Sequence, residues 1–143
     1  MDVSVERTIH AAPEKVAAFM FDPAKESQWV DDALAVEVLT PAPFGVGSRV
    51  RREGGFLGHK IAWTAEVTEF DPGHRIRMNT LEGTFHGDVT YEVRPTAGGS
   101  IALVHCRGGG NLPVPGMGWM VKRQVEDDLK KLAAVIQHQF ADS

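Results

Sequence analysis

Residues 116–141 carry the pattern that most limits what this chain can fold into. At about 100° per residue, Met117, Val121, Val125, Leu129, Leu132, Val135, Ile136 and Phe140 fall within one sector of about 140°. Arg123, Glu126, Asp127, Lys130 and Gln137 fill the opposite side. At 1.5 Å per residue such a helix is a rod of about 37 Å, longer than the ~30 Å width of a small domain. Its apolar stripe must be covered along its whole length, and only the rest of the same chain is there to cover it. With 143 residues in all, and no internal repeat, low-complexity tract or linker, the expectation is a single domain over residues 1–143.

The middle of the chain supplies a fitting partner. From residue 33 to 109 the apolar period drops to two, cut by turn residues. Strands are expected at 33–40, ended by Pro41-Ala42-Pro43, and at 47–53, ended by Gly54-Gly55. The longest is 59–70, with Ile61, Trp63, Ala65 and Val67 on one face and Lys60, Thr64, Glu66 and Thr68 on the other. Asp71-Pro72-Gly73 is a turn. Strands at 75–81, 84–94 and 100–107 follow, broken at Gly83 and Gly98-Gly99. Short connections favour an antiparallel meander.

Ahead of it, residues 3–10 alternate as a further strand. Ala12-Pro13-Glu14 then opens a helix, proline suiting a first helical position, with Val16, Phe19 and Met20 as its buried face. Asp22-Pro23 is a second start signal, leading to a short helix through Trp29. The fold class expected is therefore α+β. A curved antiparallel sheet of six to seven strands wraps a long C-terminal helix, and two short helices follow strand 1.

Charge and cysteine content narrow the function classes. Fifteen Lys and Arg against nineteen Asp and Glu give a net charge of −4, a poor basis for nucleic-acid binding. The single cysteine rules out an internal disulfide and a multi-cysteine metal cluster. Residues 1–10 lack the apolar core of a signal peptide, and no run approaches eighteen apolar residues, so a cytoplasmic protein without membrane insertion is expected. No HExxH occurs and the histidines do not cluster at ligand spacing, so no metal and no cofactor are called for.

Several stretches are similar to the polyketide cyclase/dehydrase branch of the START/Bet v 1-like (SRPBCC) superfamily. They are VERTIHAAPEKVAAFMFDPAKESQW, FGVGSRVR, WTAEVTEFDPGHRI and GTFHGDVTYEV, and the resemblance spans residues 3–140. It implies the helix-grip fold and a cavity between the concave sheet and the long helix. It carries over no catalytic motif. The family includes carriers of lipids and other hydrophobic molecules, aromatase/cyclases and hormone receptors, so the partner implied is a small hydrophobic molecule, aromatic, polyketide-like or lipid-like.

Inward alternation then nominates the wall: Val50, Arg52, Ile61, Trp63, Met78, Phe85 and Tyr91 from the sheet, and Met117, Val121 and Val125 from the helix. Phe19 and Trp29 are expected at the floor or rim, and His59, on the Trp63 face, at the mouth or in solvent. The same residues also suit plain core packing.

Few groups are poised for chemistry. His86 and Asp88 share a face, but Phe85, Val89, Tyr91 and Val93 claim the other as the buried one, which turns the pair outward. His105 and Cys106 are adjacent on a strand and point to opposite faces. Asp128 is the anomaly, about 20° from Met117 and inside the apolar sector. It either sits at the sector edge in water beside Lys131 or Lys122, or meets a cation, for which Arg52 is the candidate. Residues 107–111, RGGGN, match no phosphate-binding pattern and read as a bend before Pro113. Three functions follow: a binding module or carrier, a cyclase or dehydratase using Asp128, Arg52 or His59, and an interaction domain acting through the convex sheet face.

Overall fold

A computed structural model describes residues 1–31, 33–56, 59–83, 85–110 and 116–140. Ten elements follow one another: β1 (Asp2–Ile9), α1 (Pro13–Met20), a 3₁₀ helix (Pro23–Gln28), β2 (Ala33–Val38), β3 (Arg49–Phe56), β4 (His59–Asp71), β5 (Arg75–Gly83), β6 (Phe85–Thr96), β7 (Gly99–Gly110) and α2 (Met117–Gln139). The strands form one antiparallel sheet in the order β1-β7-β6-β5-β4-β3-β2. From β2 to β7 it is a meander, and β1 closes onto β7 beside the long helix. The sheet curls around α2 in the helix-grip arrangement.

Local sequence explains the entry to each helix. Pro13 occupies the first turn of α1, where its missing N–H leaves no bond unmade. Asp22 caps the next segment, its side chain accepting from the Ala24 N–H at 3.0 Å. That segment is a 3₁₀ helix of six residues rather than an α-helix. Gly116 sits in the left-handed conformation immediately before α2.

Two strands run past the glycines expected to end them. Gly54 and Gly55 stay in the β3–β4 ladder opposite Ile61 and Lys60. Gly108, Gly109 and Gly110 extend β7 against Gly87, His86 and Phe85, where a bend was expected; Asn111 lies outside the described residues. In both places a long neighbouring strand offers hydrogen bonds that outweigh the weak strand preference of glycine. Between β6 and β7 glycine is required. A Cβ on Gly87 (φ +148°) would lie 1.9 Å from the Arg107 carbonyl oxygen, and one on Gly108 (φ +134°) 2.1 Å from that of His86.

The core is not spread evenly along α2. Leu129, Leu132, Ala133 and Ile136 are buried against Val16, Phe19 and Met20 of α1 and against Ile9, Val67, Ile76, Val93 and Ala102 of the sheet. Met117, Val121 and Val125, on the same stripe one to three turns earlier, are only half-buried. One half of the helix is packed solid; the other faces space.

Candidate functional site

The space beside the N-terminal half of α2 forms two chambers with shared walls. The inner one, 170 Å³, is bounded by Trp29, Arg52, Met78, Tyr91, Val104 and Asp128 among others. The outer one, 430 Å³, opens past Ile61, Val89, Met120, Val121 and Gln124 toward the rim at His86 and Arg107. Val30, Trp63, Thr80, Val89, Cys106 and Val125 belong to both. The larger chamber lies within the range of small-molecule sites and is walled mainly by apolar groups.

The inner end holds its buried charges. Arg52 is buried and forks onto Glu26 of the 3₁₀ helix: Nε donates to Oε2 at 2.7 Å and Nη2 to Oε1 at 3.0 Å. Nη2 also lies 3.4 Å from the Met78 sulfur. Burial by itself would lower the guanidinium pKa, but the Glu26 carboxylate and its two hydrogen bonds more than offset this and hold it above the ordinary value. Trp29 and Tyr91 meet edge to face, centroids 5.5 Å apart. Burial, then the Glu26 charge, push the Tyr91 hydroxyl well above its ordinary range, so it stays protonated. Burial first, with Asp128 adding to it, raises the Cys106 thiol to about 11.

Asp128 is buried rather than solvated, and its partner is not Arg52. Its Oδ1 accepts from Gln124 Nε2 at 2.9 Å and from the backbone N–H of Asp31 at 3.4 Å. Lys131 instead pairs with the Asp31 side chain at 2.5 Å. Arg52 is engaged by Glu26, a residue the sequence reading did not single out. The polar stretch PAKESQ gives no hydrophobic signal, yet one was available: in a 3₁₀ helix positions three apart eclipse, so Glu26 shares a face with Trp29.

Of the nominated residues, Trp29, Arg52, Met78, Tyr91 and Asp128 line the inner chamber, Ile61 and Val121 the outer, and Trp63 and Val125 both. Phe19 and Val50 are packed in the interior away from both, and Met117 also stands apart from them. His59 is exposed at the start of β4 and touches neither. The side chain of Phe85 lies outside the described residues. Cys106, passed over as a small core residue, is a wall of both chambers, while His105 points outward to Asp2 at 2.6 Å.

The convex face is built differently. Across neighbouring strands Arg49 meets Glu66, Lys60 meets Glu53, and Arg77 meets Glu69 and Asp88, while Arg51 pairs with Glu53 along β3 itself. The basic run of β3 and β4 is thus neutralised in place, and the outward Asp88 bonds Arg77 rather than His86. Exposed Leu34, Val38 and Leu39 lie on or just beyond the β2 edge, not across the face.

A family model described as polyketide cyclase/dehydrase and lipid transport matches residues 1–137. Among solved structures the chain is similar to TTHA0849 from Thermus thermophilus, with 25% identity, a TM-score of 0.84 and all of both chains covered. It is also similar to the Zhui aromatase/cyclase from Streptomyces sp. R1128, at 18% identity and TM-score 0.78, covering 98% of this chain and 95% of that one. A START superfamily protein from Mycobacterium smegmatis aligns at 19% identity and TM-score 0.72, over 97% of this chain and 94% of that one. No curated protein matches the chain.

Proposed function

The chain belongs to the polyketide cyclase/dehydrase and lipid transport family, and from that premise we propose that it binds a small hydrophobic molecule, aromatic, polyketide-like or lipid-like, in the paired chambers. One observation carries the reading. The apolar stripe of α2 is fully covered at Leu129, Leu132 and Ile136 but left half-covered at Val121 and Val125, where it lines 430 Å³ of apolar space. Leaving apolar walls without contacts costs stability, so a space of this size and lining calls for an occupant. The mild negative charge and single cysteine fit action in the cytoplasm.

The test is a thermal-shift series against fatty acids, sterols, flavonoids, quinones and aromatic polyketides. A ligand at a hundred times its Kd adds about 2.7 kcal/mol, which is roughly 5–10 °C for a domain of this size. The expected result is a class-selective rise that Trp63→Ala abolishes, because Trp63 walls both chambers. No rise with any class, in protein shown by mass spectrometry to carry nothing from its host, overturns the reading.

A second reading, cyclisation or dehydration, draws on the gathering of Arg52, Asp128 and Tyr91 in the inner chamber. A product formed by the wild type and lost in Asp128→Asn, with ligand affinity retained, supports it. The interaction-domain reading calls for an exposed apolar patch, and the ion-paired convex face does not favour it.

A further inference from the structure

Gln124 stands on the inward side of α2, within about 60° of both Val121 and Asp128 on the helical wheel. It is half-buried and forms part of the outer chamber wall. Its partner decides which way its amide is turned. Nε2 lies 2.9 Å from Asp128 Oδ1, one turn further along the helix. The same oxygen accepts from the backbone N–H of Asp31 at 3.4 Å. A backbone N–H can only donate, so Oδ1 acts there as an acceptor, and a reversed amide would set its carbonyl oxygen against it. The NH2 end is therefore held at Asp128, and Oε1 is the end left over.

No described group bonds Oε1. Nor is that oxygen sealed in the interior: among the described residues, Trp29 Nε1 alone is a buried side-chain nitrogen or oxygen without a partner. Asp128, which holds the Nε2 end, belongs to the inner chamber wall, whereas Gln124 belongs to the outer one.

Deepening the ligand-binding reading and resting on it, we propose that Gln124 Oε1 faces the outer chamber and selects an occupant with a hydrogen-bond donor at that point, a hydroxyl group on an apolar frame. An amide free to turn offers a donor or an acceptor to whatever enters; this one, held by Asp128, only accepts. Thr80, in the walls of both chambers, does not discriminate in this way, because its hydroxyl turns to donate or to accept. An occupant without a donor covers Oε1 and leaves it unbonded, a cost that a hydroxyl avoids. A wall that bonds a hydroxyl rejects the analogue lacking it more strongly than a plain apolar wall would.

The experiment uses three probes on one ring system: 2-naphthol, whose oxygen donates, 2-methoxynaphthalene, whose oxygen only accepts, and 2-methylnaphthalene, which does neither. Their affinities are measured at pH 7, where the naphthol keeps its proton, on the wild type and on Gln124→Met. Methionine keeps the length of the side chain and removes the amide. The informative quantities are the Kd ratios of naphthol and of methoxynaphthalene to the hydrocarbon within each protein, since a change in packing cancels in them. The expected result is that Gln124→Met shifts the naphthol ratio about tenfold against naphthol, the worth of one buried hydrogen bond, and leaves the methoxynaphthalene ratio unchanged.

In the wild-type carbon NMR spectrum the Gln124 side-chain carbonyl, assigned through its own side-chain protons, should move with naphthol and stay with methylnaphthalene. This arm stands even if Gln124→Met does not fold. An unchanged naphthol ratio, a methoxynaphthalene ratio that shifts as far as the naphthol one, or a carbonyl that responds equally to naphthol and the hydrocarbon overturns the proposal. Failure of all three probes to bind overturns the ligand-binding reading beneath it, and the selection with it.

Discussion

Arg52 and Glu26 hold opposite charges largely out of water, with side chains 9% and 7% exposed. Such a pair is worth little against a well-packed apolar pair, but removing one partner strands the other. Glu26→Gln should therefore destabilise by about 3–5 kcal/mol, whereas the double change Glu26→Leu with Arg52→Met should cost far less than the two single changes added together. Urea unfolding of the wild type, Glu26→Gln, the two single changes and the double variant checks this, and additive costs would mean that the fork is not the coupled unit described.

Cys106 makes the pH-dependent prediction. Its folded pKa of about 11 lies above the ordinary 9.0, so the folded state holds the thiol proton more tightly than the unfolded chain. The resulting stability is complete below pH 9 and is lost as pH rises through 11, about 3 kcal/mol in all. Between pH 8 and 11, wild-type stability should therefore fall more steeply than that of Cys106→Ala. Parallel curves would place the thiol in a far wetter site.

Elements were the most legible part of the chain, because period and length speak directly about the backbone. The 3.6-residue stripe located α2 to within two residues at each end, and the Asp-Pro signal located the 3₁₀ helix. Glycine was read wrongly in β3 and β7, since its local preference says nothing of the neighbour's length or of how closely two backbones must approach. Gly87 and Gly108 face each other across β6 and β7, on the strands that pass the rim of the outer chamber. Alanine at either has to displace a carbonyl oxygen about 2 Å away, in a conformation that L residues resist. Each substitution should lower Tm by several degrees, on the order of 1–3 kcal/mol. Gly98→Ala, whose Cβ meets nothing within 4 Å, should leave Tm within about a degree. Differential scanning calorimetry on the three variants separates these outcomes, and equal tolerance at all three would show that the β6–β7 contact relaxes freely.

At the scale of the whole molecule the site was legible only as a direction. Alternation told which side of each strand turns inward, and the residues it nominated at Arg52, Trp63, Met78 and Tyr91 line the chambers. It carried no information on where packing stops, so Val50 and Phe19, both buried in the core and away from the chambers, were nominated alongside residues that line them. The boundary is set by the sum of side-chain volumes across β3 to β7, the 3₁₀ helix and α2, a quantity no single element contains. That division has a consequence for stability. If the chambers are kept for an occupant, the empty protein forgoes contacts that a larger side chain would supply, and stability and binding should then move in opposite directions. Val125, half-buried on α2 and part of both chamber walls, is the place to test it. Val125→Phe fills the passage between the chambers with a group that has room to sit. Its Tm should equal or exceed that of the wild type by up to a few degrees, while no probe that shifts the wild type shifts the variant. A Val125→Phe protein of sharply lower Tm would show instead that the space is already tightly packed, and that α2 is held by that packing rather than by the core around Leu129 and Ile136.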